Sequence, residues 1–467
     1  ERCLRRLFNE CPATEESSLW LDLAECEIRL GRPSAVASLQ EAIARGAEGE
    51  CVIAVALGLM DRLRAWPEER AEGVALLQSL LHRVGVVNPT SQLQFELGLT
   101  LLAGHPAQRN FDLARIEMCL VSSDPTSDAG RLAQLFVDVN YCEKDATATA
   151  GEIAERFASA YVAHAMPVGE LAGEVVLMRV SRLLLHSDHF ADADEFLEVA
   201  RRRAYAAGDA AMEGDALRLI VLSSLWRGSL ERGDEALRRH DELTAHPVVG
   251  SSGLLVAQGR LDDALRRFGV KELDHIVDPL DHANALVERG RLLSATARAD
   301  EAIEVFLRAK AVADRAGLRL GVLVPWRPSM AEALAALGHW DQAMTLASEH
   351  LDQARAFGAR RGLGVALRTM AVVTQDGDAR LTWLTESIDV LDGSASRLEL
   401  AGALIDLGSL MVERGDRDGA RASLDQGRTL ASACKAEGLV RIAEAHLASI
   451  GTRFGDVNDV EVAFVYS

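Results

Sequence analysis

Two short stretches hold side chains that could bind a metal or move a proton. His186-Ser187-Asp188-His189 is followed by Asp192 and Asp194, and His275-Ile276-Val277-Asp278 by His282. Imidazole and carboxylate are ordinary zinc ligands, but such sites draw their donors from tightly spaced pairs on one element. Neither stretch has such a pair, and both fall at turns, where polar residues gather to meet solvent; no metal is assigned. The chain has no G-x-S-x-G elbow, no H-E-x-x-H helix and no Gly-rich phosphate loop, the patterns that nucleophilic, zinc-dependent and phosphoryl chemistry require. No catalytic residue is assigned, and the chain reads as a non-enzyme.

Binding is the better-supported chemistry. On a helical-repeat register Asp215, Arg218 and Trp226 share the inner face of one unit, and Asn284 with Arg291 the inner face of a neighbour. Arginine and tryptophan are the side chains most enriched where binding energy concentrates. The alternative is that Trp226 packs between units while the arginines pair with local carboxylates, the commoner fate of such residues. Trp326 and Arg327, inside Pro325-Trp326-Arg327-Pro328, could cap a groove and hold an anionic or planar ligand. Equally, the proline sets a helix start and the tryptophan fills a seam between repeats, which is what large aromatics ordinarily do. Arg201-Arg202-Arg203 and Arg360-Arg361 read as solvated helix faces.

A run of helical hairpins must position these residues. Leu30-Gly31, Gly228-Ser229-Leu230, Gly259 to Ala264, Leu337 to Ala343 and Gly415 to Ala420 repeat one signature, in which a helix ends at glycine and restarts toward alanine. Turn points near Gly31, Glu68, Gly104, Asp145, Asp188, Gly228, Gly259, Ala297, Gly338, Gly377 and Gly415 are spaced 36 to 43 residues apart, except for one step of 31. Tetratricopeptide units are ~34 residues long and HEAT or armadillo units ~40–47. The order of small residue, turn, bulky residue and alanine is tetratricopeptide, with each helix about a turn longer.

The fold class is therefore all-α, a tetratricopeptide-like α-solenoid, a right-handed superhelix of antiparallel helix hairpins. Gly408, Ala264, Ala302, Ala343 and Ala420 allow paired helices to approach closely, and Phe190, Leu230, Leu261 and Trp340 are expected to fill the space beneath the turns. Three regions follow: less regular repeats over 1–150, regular repeats over 151–450 and a non-repeat tail over 451–467. Val84 to Pro89 and Ser122 to Ser127 are helix-breaking connectors, and the unit near Gly250-Ser251-Ser252-Gly253 has lost part of a helix.

Composition agrees. Hydrophobic residues make up 49% of the 467 and aromatics 5%, a helix-forming palette. The net charge of −20 excludes nucleic-acid binding by this segment, since phosphate contacts need a positive field. The seven cysteines include no C-x-x-C pair and read as buried free thiols of a cytoplasmic protein. No signal peptide or long uncharged span appears, so no membrane is expected. Glu1 lies within helical pattern, as expected of a fragment of a longer polypeptide.

Val322 to Ser329, Ala333 to Gly338, Gly358 to Arg368 and Ser387 to Gly408 resemble the helical-repeat region of large ATP-binding LuxR-type transcriptional regulators, which are common in actinobacteria. The resemblance extends from about 170 to 450. It implies a middle segment that receives a signal, from a small-molecule effector or a protein or peptide partner, and controls self-association, with homo-oligomers possible. ATP belongs to a module outside this chain, because no G-x-x-x-x-G-K-[ST] loop occurs here. No basic helix-turn-helix follows residue 450, so DNA binding is not assigned either. The main alternative is a constitutive interaction scaffold that senses no small molecule.

Overall fold

The Ala- and Leu-rich segments form twenty-one helices, and no strand occurs among the described residues. The computed structural model describes residues 15–451, apart from 64–65, 67, 88–91, 93–94, 97–98, 100–115, 122–127, 146, 163–170, 244–247, 269–272, 274–275 and 277. The expected turn at Gly104, the connector at 122–127, His275 and the tail beyond 451 lie outside them. The chain divides into two compact units, residues 1–141 with 164–179, and residues 142–163 with 180–467.

In the first unit α1 (Glu16–Arg29) pairs with α2 (Ala35–Ala44), and α3 (Glu50–Leu63) with α4 (Arg70–Val87). Leu39, Leu59, Leu63, Leu77 and Phe95 build its core. A buried hydrogen bond from the Ser38 hydroxyl to Glu27, 2.6 Å long, joins the first hairpin internally. Helix α5 (Asp128–Lys144) runs to the unit boundary.

The second unit holds α6 (Ala150–Val162) and a succession of hairpins. These are α7 (Leu171–His186, entering the unit at Val180) with α8 (Phe190–Ala207), α9 (Ala210–Arg227) with α10 (Leu230–Leu243), and α11 (Ser251–Ala257) with α12 (Leu261–Phe268). Next come α13 (Pro279–Ala295) with α14 (Ala299–Ala316), α15 (Trp326–Ala336) with α16 (Trp340–Phe357), and α17 (Arg360–Val373) with α18 (Gly377–Asp392). Helices α19 (Arg397–Glu413), α20 (Arg417–Ala433) and α21 (Glu437–Gly451) complete it. This is a tetratricopeptide-like α-solenoid with helices of up to 18 residues. The shortest hairpin, of 7 and 8 residues, is the one that follows the shortened repeat step.

The turns explain the periodicity. Gly228, Gly259, Gly338 and Gly415 adopt φ between 77° and 81°, the left-handed cap that frees the chain to reverse. At the same repeat position Asp188 (φ 65°) and Ala297 (φ 56°) adopt that conformation without glycine, at about 1–2 kcal/mol each. The turn before Gly377 is different: Thr374 and Asp376 are extended, and the Asp376 carboxylate caps α18 by accepting from Ala379 N–H at 2.8 Å.

Close approach follows from the small residues. Ala264, Ala302, Ala343 and Ala420 are fully buried, and a Cβ on Gly408 would lie 2.6 Å from Leu424 Cγ. Phe190 and Leu230 fill the space beneath their turns and Leu261 is half-buried. Trp340 departs from expectation, with 37% of its surface exposed. Beside its turn it is Ala335 and Ala343 that are buried in the core cluster. The thiols depart as well: Cys142 and Cys434 are buried, Cys26 and Cys119 are half-buried, and Cys51 faces solvent from α3.

The second unit also meets itself. Helix α9 touches α19 and α11 touches α21, five hairpins further on. Arg441 Nη2 donates to the Gly259 carbonyl at 3.3 Å, and Arg361 N–H donates to Asp188 Oδ2 at 2.9 Å. Beside them a Cβ on Gly228 would fall 2.5 Å from Cys434 Sγ. Helices α9 and α19 are buried around most of their circumference, Glu213 and Glu399 included, as befits helices covered on several sides. Among the described residues no helix is long and apolar enough to cross a membrane.

Candidate functional site

The first helices of seven successive hairpins, α7, α9, α11, α13, α15, α17 and α19, turn their inner faces onto one cavity of about 110 Å³. Of the residues expected at a binding surface, Arg218, Trp226, Asn284 and Arg291 line it. Asp215 sits one step behind, accepting from Arg218 Nη2 at 3.1 Å. Trp326 and Arg327 are elsewhere. Trp326 is buried, Arg327 stacks over its ring at 4.5 Å and faces Glu349 at 3.5 Å, while the flanking Pro325 and Pro328 reach the cavity wall.

Three polar assemblies shape the interior. Asp281, in the first turn of α13, accepts from Arg182 Nη2 at 3.0 Å and from Arg218 Nη1 at 2.7 Å. That turn is fixed by the Asp278 cap, whose carboxylate accepts from Leu280 N–H and Asp281 N–H. Asn284, one turn on, donates to the Leu280 carbonyl and to the Leu323 carbonyl, both at 3.0 Å. It thereby ties α13 to the segment ahead of α15.

The second assembly holds the short hairpin. Buried Glu288 accepts from Gly250 N–H, from Ser252 N–H at 3.2 Å and from the Ser252 hydroxyl. Desolvation raises its pKa while these bonds oppose the rise.

The third assembly centres on Glu399. It accepts from Arg361 Nη2 at 3.1 Å and from buried Arg368 Nη1 at 3.4 Å, while Arg368 also donates to Asp406 at 2.7 and 2.9 Å. Arg361 lies 3.9 Å over the Trp226 ring, and His186 meets the same indole edge-on at 4.9 Å. Burial, with Arg361 and Arg182 nearby, lowers His186 to a pKa of about 3. Burial and the charges of Arg327 and Arg291 lower His350 to about 4. Both imidazoles are therefore neutral at pH 7.

Arg291 is the exception among the cations. Its one hydrogen bond runs from Nε to the Ser329 hydroxyl at 2.9 Å, and it makes no ion pair among the described residues. Burial pulls its pKa below the ordinary range in spite of Glu288, Glu332 and Glu399. Arg361 Nε is a buried donor with no partner among the described residues.

Sequence reasoning missed Arg361, which it read as part of a solvated face, and also Arg182, Asp281, Glu288 and Glu399. Their partners lie 31 to 99 residues away or further, so no local pattern reveals them. The stretch beginning at His186 disperses instead of converging. His189 faces Asp192 at 3.5 Å, Asp188 binds Arg361 N–H, and Asp194 takes Ser223, Arg227 and Arg232. Among the described residues no group of three or more potential ligands forms a metal site.

No protein-family model and no curated protein matches the chain. Among solved structures, the APC/C hetero-tetramer Cut9–Hcn1 matches at 13% identity and a TM-score of 0.41, over 100% of this chain and 94% of that one. A Rap protein complexed with competence and sporulation factor matches at 13% identity and a TM-score of 0.36, over 91% and 99%. A signal-transduction ATPase with a tetratricopeptide repeat sensor from Pyrococcus horikoshii matches at 11% and 0.31; this chain covers 55% of its length.

Proposed function

We propose that this chain is the sensory and oligomerisation region of a LuxR-type transcriptional regulator, taking a small effector into the cavity on its inner face. The observation that supports this most directly is the cavity itself. Seven hairpins converge on it, and one of its four arginines, Arg291, has no ion pair among the described residues. Because α9 and α11 contact α19 and α21, the inner face is enclosed, a geometry better suited to a small molecule than to an extended peptide.

An effector that prefers one curvature of the solenoid shifts the population toward that curvature, by no more than its difference in affinity for the two states. Coupling to self-association follows if the favoured curvature exposes or hides a subunit interface. On this reading ATP and DNA are handled by other modules of a cytoplasmic protein. Light scattering and small-angle X-ray scattering of the chain, with and without a panel of small metabolites, test it. A ligand-dependent change in radius or oligomer size supports the reading. If neither changes at saturation while a fixed protein partner co-purifies, the chain is a constitutive scaffold.

A further inference from the structure

Every carboxylate on the cavity wall is already engaged. Asp281 is shared by Arg182 and Arg218, Glu399 by Arg361 and Arg368, and Glu288 by the backbone of the short hairpin and the Ser252 hydroxyl. Four arginines and three carboxylates line the cavity, and its two histidines are neutral. Arg291 is left with one neutral partner, the Ser329 hydroxyl, and the Arg361 Nε donor with none. The Arg361 guanidinium is near enough to disfavour the charge on Arg291. Much of the remaining wall is apolar: Leu219, Leu222, Leu225, Val287, Leu292 and Phe357.

We infer that the cavity binds a small organic carboxylate, its anionic group on Arg291 and Arg361 and its apolar body against the leucines, Val287 and Phe357. This rests on the reading of the cavity as an effector site and gives that effector a chemical class. A buried cation with no direct ion pair is the group in an enclosed site that gains most from an anion, because its desolvation has already occurred. Arg291, the one cavity arginine with no ion pair among the described residues, matches a single carboxylate; a dianionic phosphate would set a second negative charge beside carboxylates that are already engaged. A volume of about 110 Å³ restricts the body to about the size of a single ring or a short chain.

The test uses 4-fluorophenylacetate and its uncharged analogue 4-fluorophenylacetamide as probes, followed by fluorine NMR on the whole chain, with light scattering in parallel. The acid is expected to bind at least about tenfold more tightly than the amide. Arg291→Met removes that preference and Arg291→Lys restores part of it, and thermal melts confirm that both variants fold. Equal affinity for acid and amide, undiminished acid binding in Arg291→Met, binding of neither probe, or displacement of the acid by an equal concentration of inorganic phosphate overturns the inference. If the acid binds but oligomer size and radius stay fixed, the carboxylate class stands and the effector reading falls. If the amide binds as well as the acid and does change them, the effector reading stands and the carboxylate class falls.

Discussion

Replacing Arg291 with methionine should stabilise the empty protein. The side chain makes a single hydrogen bond, and Ser329 still donates to the Pro325 carbonyl at 3.1 Å once that bond is gone, so its hydroxyl keeps a partner. Against this modest loss stands the removal of a desolvated charge. Arg291 is a base whose folded pKa lies below its unfolded value, chiefly through burial. The folded state therefore disfavours its charged form, and at pH 7, where arginine is protonated in both states, the whole penalty is present. Replacing a buried ion pair or triad by apolar residues of similar volume is often neutral or stabilises by up to about 1–4 kcal/mol, and Arg291 has no ion-pair partner among the described residues to strand. The lost charged hydrogen bond offsets part of that, leaving about 1–2 kcal/mol in favour of Arg291→Met. The assay is urea denaturation, with a higher midpoint at an unchanged slope as the expected result. Arg368→Met supplies the contrast. It removes the guanidinium that holds half-buried Asp406 and leaves buried Glu399 with Arg361 alone, and removing one partner of such a network is worth about 3–5 kcal/mol of stability. A loss of 1 kcal/mol or more in Arg291→Met would mean that Glu288, Glu332 and Glu399 already compensate Arg291, and the argument for an anion site would go with it.

Other outcomes follow from the same geometry. His186, with a pKa near 3 in the fold and an ordinary unfolded value near 6.5, contributes stability that is complete above pH 6.5 and is lost as pH falls toward 3. His186→Gln should flatten the slope of stability against pH between 6.5 and 4.5 by about 1.4 kcal/mol per unit; an unchanged slope refutes it. Glu288 and Asp406, both raised by burial, act in the opposite direction in both proteins. Gly228→Ala and Gly338→Ala share a positive φ, but only the first drives a Cβ into Cys434. The first should lose more than the ~1–2 kcal/mol of backbone strain that both incur, read from paired urea melts; equal losses would show that the α9–α19 side yields freely. In site-resolved mass spectrometry after alkylation, exposed Cys51 should label before Cys434, whose thiol is buried and raised in pKa. Early labelling of Cys434 would place that contact open in solution.

Local features of this fold are legible in the sequence and distant ones are not. Gly228, Gly259, Gly338 and Gly415 mark their turns, and the same spacing locates Asp188 and Ala297 in the same backbone conformation, because a repeat imposes geometry even where its usual residue is missing. The inner-face register brings Arg218, Trp226, Asn284 and Arg291 to one cavity, since first helices stack at regular intervals. Trp326 and Arg327 lie outside it: the indole is buried with Arg327 stacked over its ring and facing Glu349, and only Pro325 and Pro328 reach the wall. Arg361 was hidden for a different reason. Its stacking on Trp226 and its backbone bond to Asp188 join segments more than a hundred residues apart, and periodicity carries no information about where a solenoid meets itself. The sequence sign of that meeting is that the apolar residues of α9 and α19 spread around the helix instead of forming a single stripe.

An open array of helical hairpins can gain or lose a copy, because each touches only its neighbours. The contacts of α9 with α19 and of α11 with α21 remove that freedom. Arg441 reaches the Gly259 carbonyl, and Arg361 reaches Asp188, only when the number of intervening hairpins and the curvature of each are held constant. One hairpin more or fewer would carry Gly228 and Cys434 past each other and break up the ring of inner helices. The shortened α11–α12 pair thus becomes a phase correction, as specific in its length as any side chain in the cavity. Copy number, ordinarily the most changeable property of a repeat protein, is here part of what builds the cavity.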